Sequence, residues 1–329
     1  MVMKEIEKGD KMKKNNKKRK NKKEKKKVNI LLILLIIVLL LSGTFFYFFM
    51  EKYITLAARK IIRDNLVTEG NGLYKDIIKT GFDKNEPFSS KYYFKGNKLN
   101  NYLIFEGNCW HIINIAQNNT IKIMYIGKSV NNKCNNTINE LEDLKDLIVW
   151  NDISNNNWHN STILALLKTW EKNNSINDQI KINFSGENSK IVEATWYIGG
   201  VRFINQSLSA DILQERTNNL ENSSELPVYQ GKLGLITVSD YLKVSCEKGS
   251  YASTPDCKNN NFLVRDYPYW TMTATDSGKQ TAWALKDDGS LAAVNTAENG
   301  YTIYPVVYLR SDIKITGTGS IDNPYIVID

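Results

Sequence analysis

Residues Val28 to Met50 read VNILLILLIIVLLLSGTFFYFFM, without one charged side chain. An apolar run of this length spans the ~30 Å hydrocarbon core of a bilayer as a helix. A chain that carries it has to place its remaining residues on the two sides of a membrane. Phe45, Phe46, Tyr47, Phe48 and Phe49 gather at its C-terminal end, where aromatic rings favour the membrane interface. A cleaved signal peptide is the competing reading, but such peptides have apolar cores of about 7–15 residues followed by small residues at the cleavage site. This run is longer and ends in bulky rings, so an uncleaved anchor is expected. No cysteine follows it directly, which excludes a lipoprotein.

The flanking charge sets the orientation. Met1 to Lys27 holds 14 basic residues against 4 acidic ones, a net of +10, so the rest of the chain carries −2 of the total +8. A Lys-rich flank stays inside. Residues 1–27 are therefore expected as a disordered, basic cytoplasmic tail, residues 28–50 as the single membrane span, and everything beyond as external. The folded part shows no clustered basic face, so no nucleic-acid partner is expected.

Residues 51–80 are expected as a helical stalk or linker. Ile54, Ala57, Ala58, Ile61 and Ile62 recur at helical spacing, before Gly70, Gly72 and Gly81 break the pattern. The Ile54–Leu66 stripe has three uses open to it: lying along headgroups, packing on the domain, or self-association.

From residue 81 to 329 the signals are mostly those of short strands. Tyr102–Phe105 is one strand, and Trp110–Ile115 and Ile121–Ile126 are two more, joined by a turn at Gln117-Asn118-Asn119. Asn160 or Ser161 caps a helix that carries Ile163, Leu166, Leu167 and Trp170 on one stripe. Ala194–Phe203 returns to strand character. The apolar Leu233–Val238 run ends at Ser239-Asp240, a cap for a short helix over Tyr241–Val244. The fold class is α+β, with short strands, few helices and long loops. Cys109, Cys134, Cys246 and Cys257 all follow the anchor, where an even number of cysteines favours disulfides. Three connectivities are open. The simplest is local: Cys109 with Cys134, and Cys246 with Cys257. A metal site lacks both a CxxC spacing and a nearby histidine.

An ordered set of segments carries a resemblance. These are Gly72-Leu-Tyr74, Asn100–Phe105 with Cys109–Ile113, Trp158 with Ser161, Thr162 and Leu164, and Trp196–Gly200. There follow Leu233–Tyr241 with the Cys246/Cys257 pair, Trp270, Tyr304–Leu309, Lys314–Gly317 and Asn323-Pro-Tyr325. Together they resemble an uncharacterised surface-protein domain family of low-GC Gram-positive bacteria. That family is similar to the C-type-lectin-like superfamily, which includes Fibrobacter-type major paralogous domains and formylglycine-generating folds. The resemblance implies a C-type-lectin-like domain in which Pro305–Leu309 is a central strand near the chain ends. Many members start with a prepilin leader; Lys27-Val-Asn-Ile30 has neither its cleavage glycine nor its glutamate, which favours a plain anchor.

Chemistry is sparse. His111 sits in a strand and is expected as a structural imidazole, and His159 as a capping or solvated one. The Glu140, Glu142, Asp143, Asp146 cluster reads as a solvated helix face. Trp150-Asn151-Asp152 resembles a lectin calcium tripeptide but lacks partner ligands, so neither metal nor cofactor is expected. Trp270 and Trp283 are expected in the core, and the loop residues Tyr251, Tyr267 and Tyr269 as contacts, since tyrosine is favoured at binding surfaces. The first expectation for function is a non-enzymatic external module binding a protein, glycan or cell-wall component. A structural part of an envelope assembly comes second, and an enzyme third.

Overall fold

The computed structural model describes residues 32–40, 42–43, 55–76, 86–134, 147–177, 180–201, 214–217, 227–245, 259–275 and 280–328. The chain divides into two units, residues 1–55 and Leu56–Asp329. In the first, residues 32–40 and 42–43 are helical and Leu32 through Leu40 are solvent-exposed. Among the described residues no helix is long and apolar enough to cross a membrane. The basic tail, the aromatic cluster and the rest of Val28–Met50 lie outside the described residues.

The second unit is α+β and dominated by sheet. Its main sheet has 11 strands. At its centre Asn108–Ala116 pairs antiparallel with Ile121–Lys128, closed by Asn119 in the left-handed region at φ 63°. Asn118 Oδ1 accepts from Thr120 N (3.0 Å) and so shapes the turn. On one side Asn108–Ala116 is joined by Tyr102–Phe105, then by Tyr325–Ile328 in parallel. On the other side Val306–Leu309 pairs with Ile121–Lys128, and Ile191–Val192 and Leu233–Gly234 both pair with Val306–Leu309. Ser90–Lys95 is set against Asn108–Ala116 and carries Gly72–Lys75.

All nine residues of Asn108–Ala116 are buried. A strand covered on both faces reads as a continuous apolar run instead of alternating, which fits Cys-Trp-His-Ile-Ile. The Thr162–Asn173 helix packs beside Leu233–Gly234; its N-cap is Ser161, whose hydroxyl accepts from Leu164 N at 3.0 Å. Ile163, Leu164, Leu167 and Trp170 form its buried stripe. A separate three-stranded sheet, Tyr269–Ala274, Thr281–Leu285 and Leu291–Asn295, holds Trp270 and Trp283 inside, their indole N–H groups donating to Ile148 and Val201 carbonyls. Gly234 lies so near Trp196 that a Cβ there would stand 2.6 Å from an indole carbon. Only glycine permits that approach.

The Ala57–Asn65 helix belongs to this unit. Ala57, Ala58 and Ile61 are buried in its core, Ala57 N donates to Ile313 O at 2.9 Å, and Asn65 Nδ2 donates to Tyr325 Oη at 2.7 Å. Of the three uses open to the stripe, these residues serve packing on the domain; Ile54 lies outside the described residues. The compact unit thus begins at Leu56, well before residue 81.

Two local expectations are corrected. The strand expected over Ala194–Phe203 is Ala194–Tyr197 among the described residues. The helix expected from Tyr241 is Val238–Ser245, and Thr237 caps it in place of Ser239. The Cys109–Cys134 disulfide is formed, Cα atoms 5.8 Å apart, while Cys246 and Cys257 lie outside the described residues. It closes a loop with a sequence separation of 25. Replacing both Cys109 and Cys134 by serine is expected to lower unfolding free energy by about 3 kcal/mol, read from denaturant midpoints of the oxidised protein.

Candidate functional site

A one-residue bulge builds the site. Ile112 stands opposite Ile123 and Asn114 opposite Lys122, so Ile113 is extra on its strand. A bulge re-aims the side chains beside it. Here it aligns Tyr93, Asn114, Lys122 and Tyr308 in one row across four adjacent strands. A cavity of about 50 Å³ is bordered by Asn114, Lys122 and Tyr308 of this row, by Trp196, and by Ser239 and Asp240 of the Val238–Ser245 helix. At about 10–15 Å³ per water centre, it holds a small polar group and not a whole sugar ring.

Lys122 is the exceptional residue. Isoleucines precede and follow it, and its side chain is only 5% exposed. Its Nζ donates to Asp240 Oδ2 at 2.6 Å and lies 5.4 Å and 5.7 Å from the ring centroids of Trp196 and Tyr308. Burial pulls the ammonium pKa down, but Asp240, with Tyr308 and Glu215, more than offsets this, and the net direction is upward. Burial likewise pushes the Tyr308 hydroxyl up to about 12, against the opposing pull of Lys122.

Asp240 is fixed by the helix start. Thr237 N and Thr237 Oγ donate to Asp240 Oδ2 at 2.9 and 3.0 Å, and Asp240 N donates back to Thr237 Oγ at 3.1 Å. That is a reciprocal capping arrangement in which an acidic group also meets the positive end of the helix dipole. Further along, Lys243 pairs with Asp76. The cations and carboxylates bordering the cavity are thus matched with one another. Asn114 Oδ1 differs: it is buried and accepts no hydrogen bond among the described residues. Such an orphan acceptor costs about 1–3 kcal/mol, which an incoming N–H or O–H relieves.

Behind Ser239 lies Glu215, fully buried in the short Gln214–Thr217 helix. Its carboxyl accepts from Ser239 N (3.2 Å), Ser239 Oγ and Thr273 Oγ (2.7 Å). Burial raises its pKa, and the hydrogen bonds from Ser239 and Thr273 only partly counter that.

The residues singled out from sequence fall elsewhere. Tyr267 is half-exposed, as a contact residue requires. Tyr269 is 1% exposed; its hydroxyl donates to Leu263 O at 2.7 Å and its ring meets Tyr304 edge-on, so it is a core residue. Tyr251, Cys246, Cys257 and the Glu140–Asp146 cluster lie outside the described residues. His111 is buried against Tyr102 and Phe262, 3.1 Å from Asn101 Oδ1, with its pKa held well down by burial and by Arg265. His159 N is held by Asn157 Oδ1. Asn151 is spent on its own loop, bonding Asn155 and Ile153, and no group of three or more potential metal ligands occurs among the described residues. The overlooked residues are Lys122, Asn114, Trp196, Tyr308 and Glu215. One signal pointed to them: a lone lysine inside an isoleucine-rich strand.

Lys122→Met leaves Asp240 buried without its cation, and unfolding free energy should fall by about 3–5 kcal/mol in urea titrations. Glu215 has the opposite sign. Its raised pKa means the fold prefers the protonated acid, so its stabilising contribution is full below the ordinary carboxylate value of 4.5 and lost as pH rises through the raised value. Glu215→Gln should therefore remove a loss of stability that the parent protein shows in denaturant midpoints as pH rises above 4.5. In comparisons with known proteins, no family model matches the chain, nor does any curated protein or solved structure.

Proposed function

We propose that this chain is a membrane-anchored, non-enzymatic module that binds a protein, glycan or cell-wall ligand outside the cell through a C-type-lectin-like domain. The anchor reading rests on the charge-free Val28–Met50 run and its Lys-rich flank. The likeness to C-type-lectin-like domains and to the uncharacterised Gram-positive surface family rests on the ordered segments of the sequence, although Val306–Leu309 lies beside the short edge strands Ile191–Val192 and Leu233–Gly234 and not at the centre of the sheet. It also draws support from the meeting of the domain's two ends at Asn65 and Tyr325.

The binding reading is carried by one observation, the partnerless Asn114 Oδ1 in a cavity whose charges are already matched. Such a pocket selects a neutral group with a hydrogen to donate, a sugar hydroxyl or a peptide amide. A formal charge entering it would displace a paired lysine or carboxylate at high desolvation cost. Tyr267, exposed on the loop before Tyr269, is the remaining aromatic contact. In the second reading the anchor region self-associates through the exposed Leu56 and Leu66 that flank the Ala57–Asn65 helix.

Full-length protein in detergent is expected to be retained on purified cell-wall glycan. Asn114→Leu, which removes the acceptor without touching either ion pair, should weaken retention about tenfold, the equivalent of one hydrogen bond. Retention unchanged by Asn114→Leu would rule out this pocket. Absence of retention, with a concentration-dependent oligomer abolished by Leu56→Glu and Leu66→Glu, would favour assembly.

A further inference from the structure

From the seating of Lys122 against Asp240 we infer that the two side chains condense into an intramolecular amide, a covalent bond between the central strand and the Val238–Ser245 helix. Among the described residues Lys60–Asp64, Arg216–Glu86 and Lys243–Asp76 are ion pairs in which at least one side chain stays partly exposed. Arg310–Asp312 and Lys133–Asp322 are open to solvent, where water screens the charges and competes for any activated carboxyl. Lys122–Asp240 is different, since both side chains are at most 9% exposed and Nζ stands 2.6 Å from Oδ2. Holding reacting groups together in this way supplies the entropic part of a condensation barrier.

The surroundings fit the reaction step by step. Pairing with Asp240 favours the ammonium, so the reaction must first move a proton from Nζ to Oδ1, the carboxyl oxygen that Thr237 does not bond; between Trp196 and Tyr308 that transfer removes two buried charges at once. The Nζ lone pair then adds to Cγ. Negative charge grows on Oδ2, where Thr237 N and Thr237 Oγ are already aimed at 2.9 and 3.0 Å, as preorganised donors stabilise a tetrahedral intermediate. Oδ1 is the oxygen that departs. Already carrying the first proton, it takes up the second one that the nitrogen releases, its bond to Cγ breaks, and it leaves as water into the adjoining cavity. The products are one amide and one water, with no change of oxidation state. Glu215 hydrogen-bonds the Ser239 hydroxyl, and Ser239 borders the same cavity; relaying a proton through that hydroxyl is the role the inference gives it. Its burial favours the protonated form on which that role depends.

The bond would join residues 118 apart. It is independent of the ligand reading, because the wall-retention assay and the mass measurement fail or succeed separately. Intact-mass spectrometry of the full-length chain, corrected for its disulfides, is expected to give a mass lower than the sequence mass by one water. Tandem spectra of a digest should contain a branched peptide joining Lys122 to Asp240. Lys122→Arg, which keeps the cation, should restore the full mass. Glu215→Gln should slow accumulation at least tenfold, the low side of general acid catalysis. Asp240→Asn should reach the same product by losing ammonia. A parent chain of full sequence mass, yielding linear Lys122 and Asp240 peptides, overturns the inference. So does a water loss that maps to any other pair of residues.

Discussion

Placing an ammonium group at the centre of a sheet is the most demanding act in this fold. Lys122 lies between two isoleucines on a strand buried on both faces, and taking its charge out of water costs several kcal/mol unless a partner is fixed beside it. That partner is Asp240, and its place depends on a sequence of further contacts. Thr237 has to cap the Val238–Ser245 helix and hold the carboxylate. The helix must also dock over the row that contains Lys122, with Lys243 reaching Asp76 beyond the Gly72–Lys75 strand. Trp196 must pack over the ammonium, and that requires Gly234 to leave the indole room. Loss of the charge pair would therefore loosen sheet, helix and aromatic cover together.

The same arrangement explains the character of the cavity. Its charges are turned toward one another, so little net field points into it, and among the residues bordering it Asn114 carries a buried carbonyl oxygen that accepts no hydrogen bond among the described residues. Recognition by such a site works through hydrogen-bond direction and shape more than through Coulomb attraction, as suits a neutral ligand in a salt-containing medium. A covalent tie between Lys122 and Asp240 would leave that recognition surface intact while removing the most expensive pair of charges from the interior.

Much of the scaffold was legible from residue order. The turn at Gln117-Asn118-Asn119 forms because asparagine tolerates the left-handed backbone and its side chain bonds its own turn. Ser161 caps its helix through a local hydrogen bond, and the stripe from Ile163 to Trp170 faces inward at helical spacing. These features depend on neighbours a few residues apart, which a pattern can report. The candidate site was harder to read. Tyr269 looks like a loop residue beside Tyr267, but its face of the three-stranded sheet is covered by Tyr304. Only its neighbour reaches solvent. Ile113 gives no hint that it is the extra residue of a bulge, since isoleucines stand on either side of the Ile113-Asn114 pair. Yet that one insertion turns Asn114 toward Lys122.

The sequence by itself determined the charge-free apolar run with its basic flank, the mixed α+β character, the Ser161 cap and the Gln117-Asn118-Asn119 turn. Those follow from composition and from hydrogen bonds between near neighbours. Only the tertiary structure decided that Lys122 is paired, that Asn114 Oδ1 is left open and that Glu215 is sealed behind Ser239. Each of these depends on desolvation and on partners far along the chain, such as Asp240, 118 residues from Lys122. Burial and charge pairing are properties of three-dimensional neighbours, and linear spacing does not encode them.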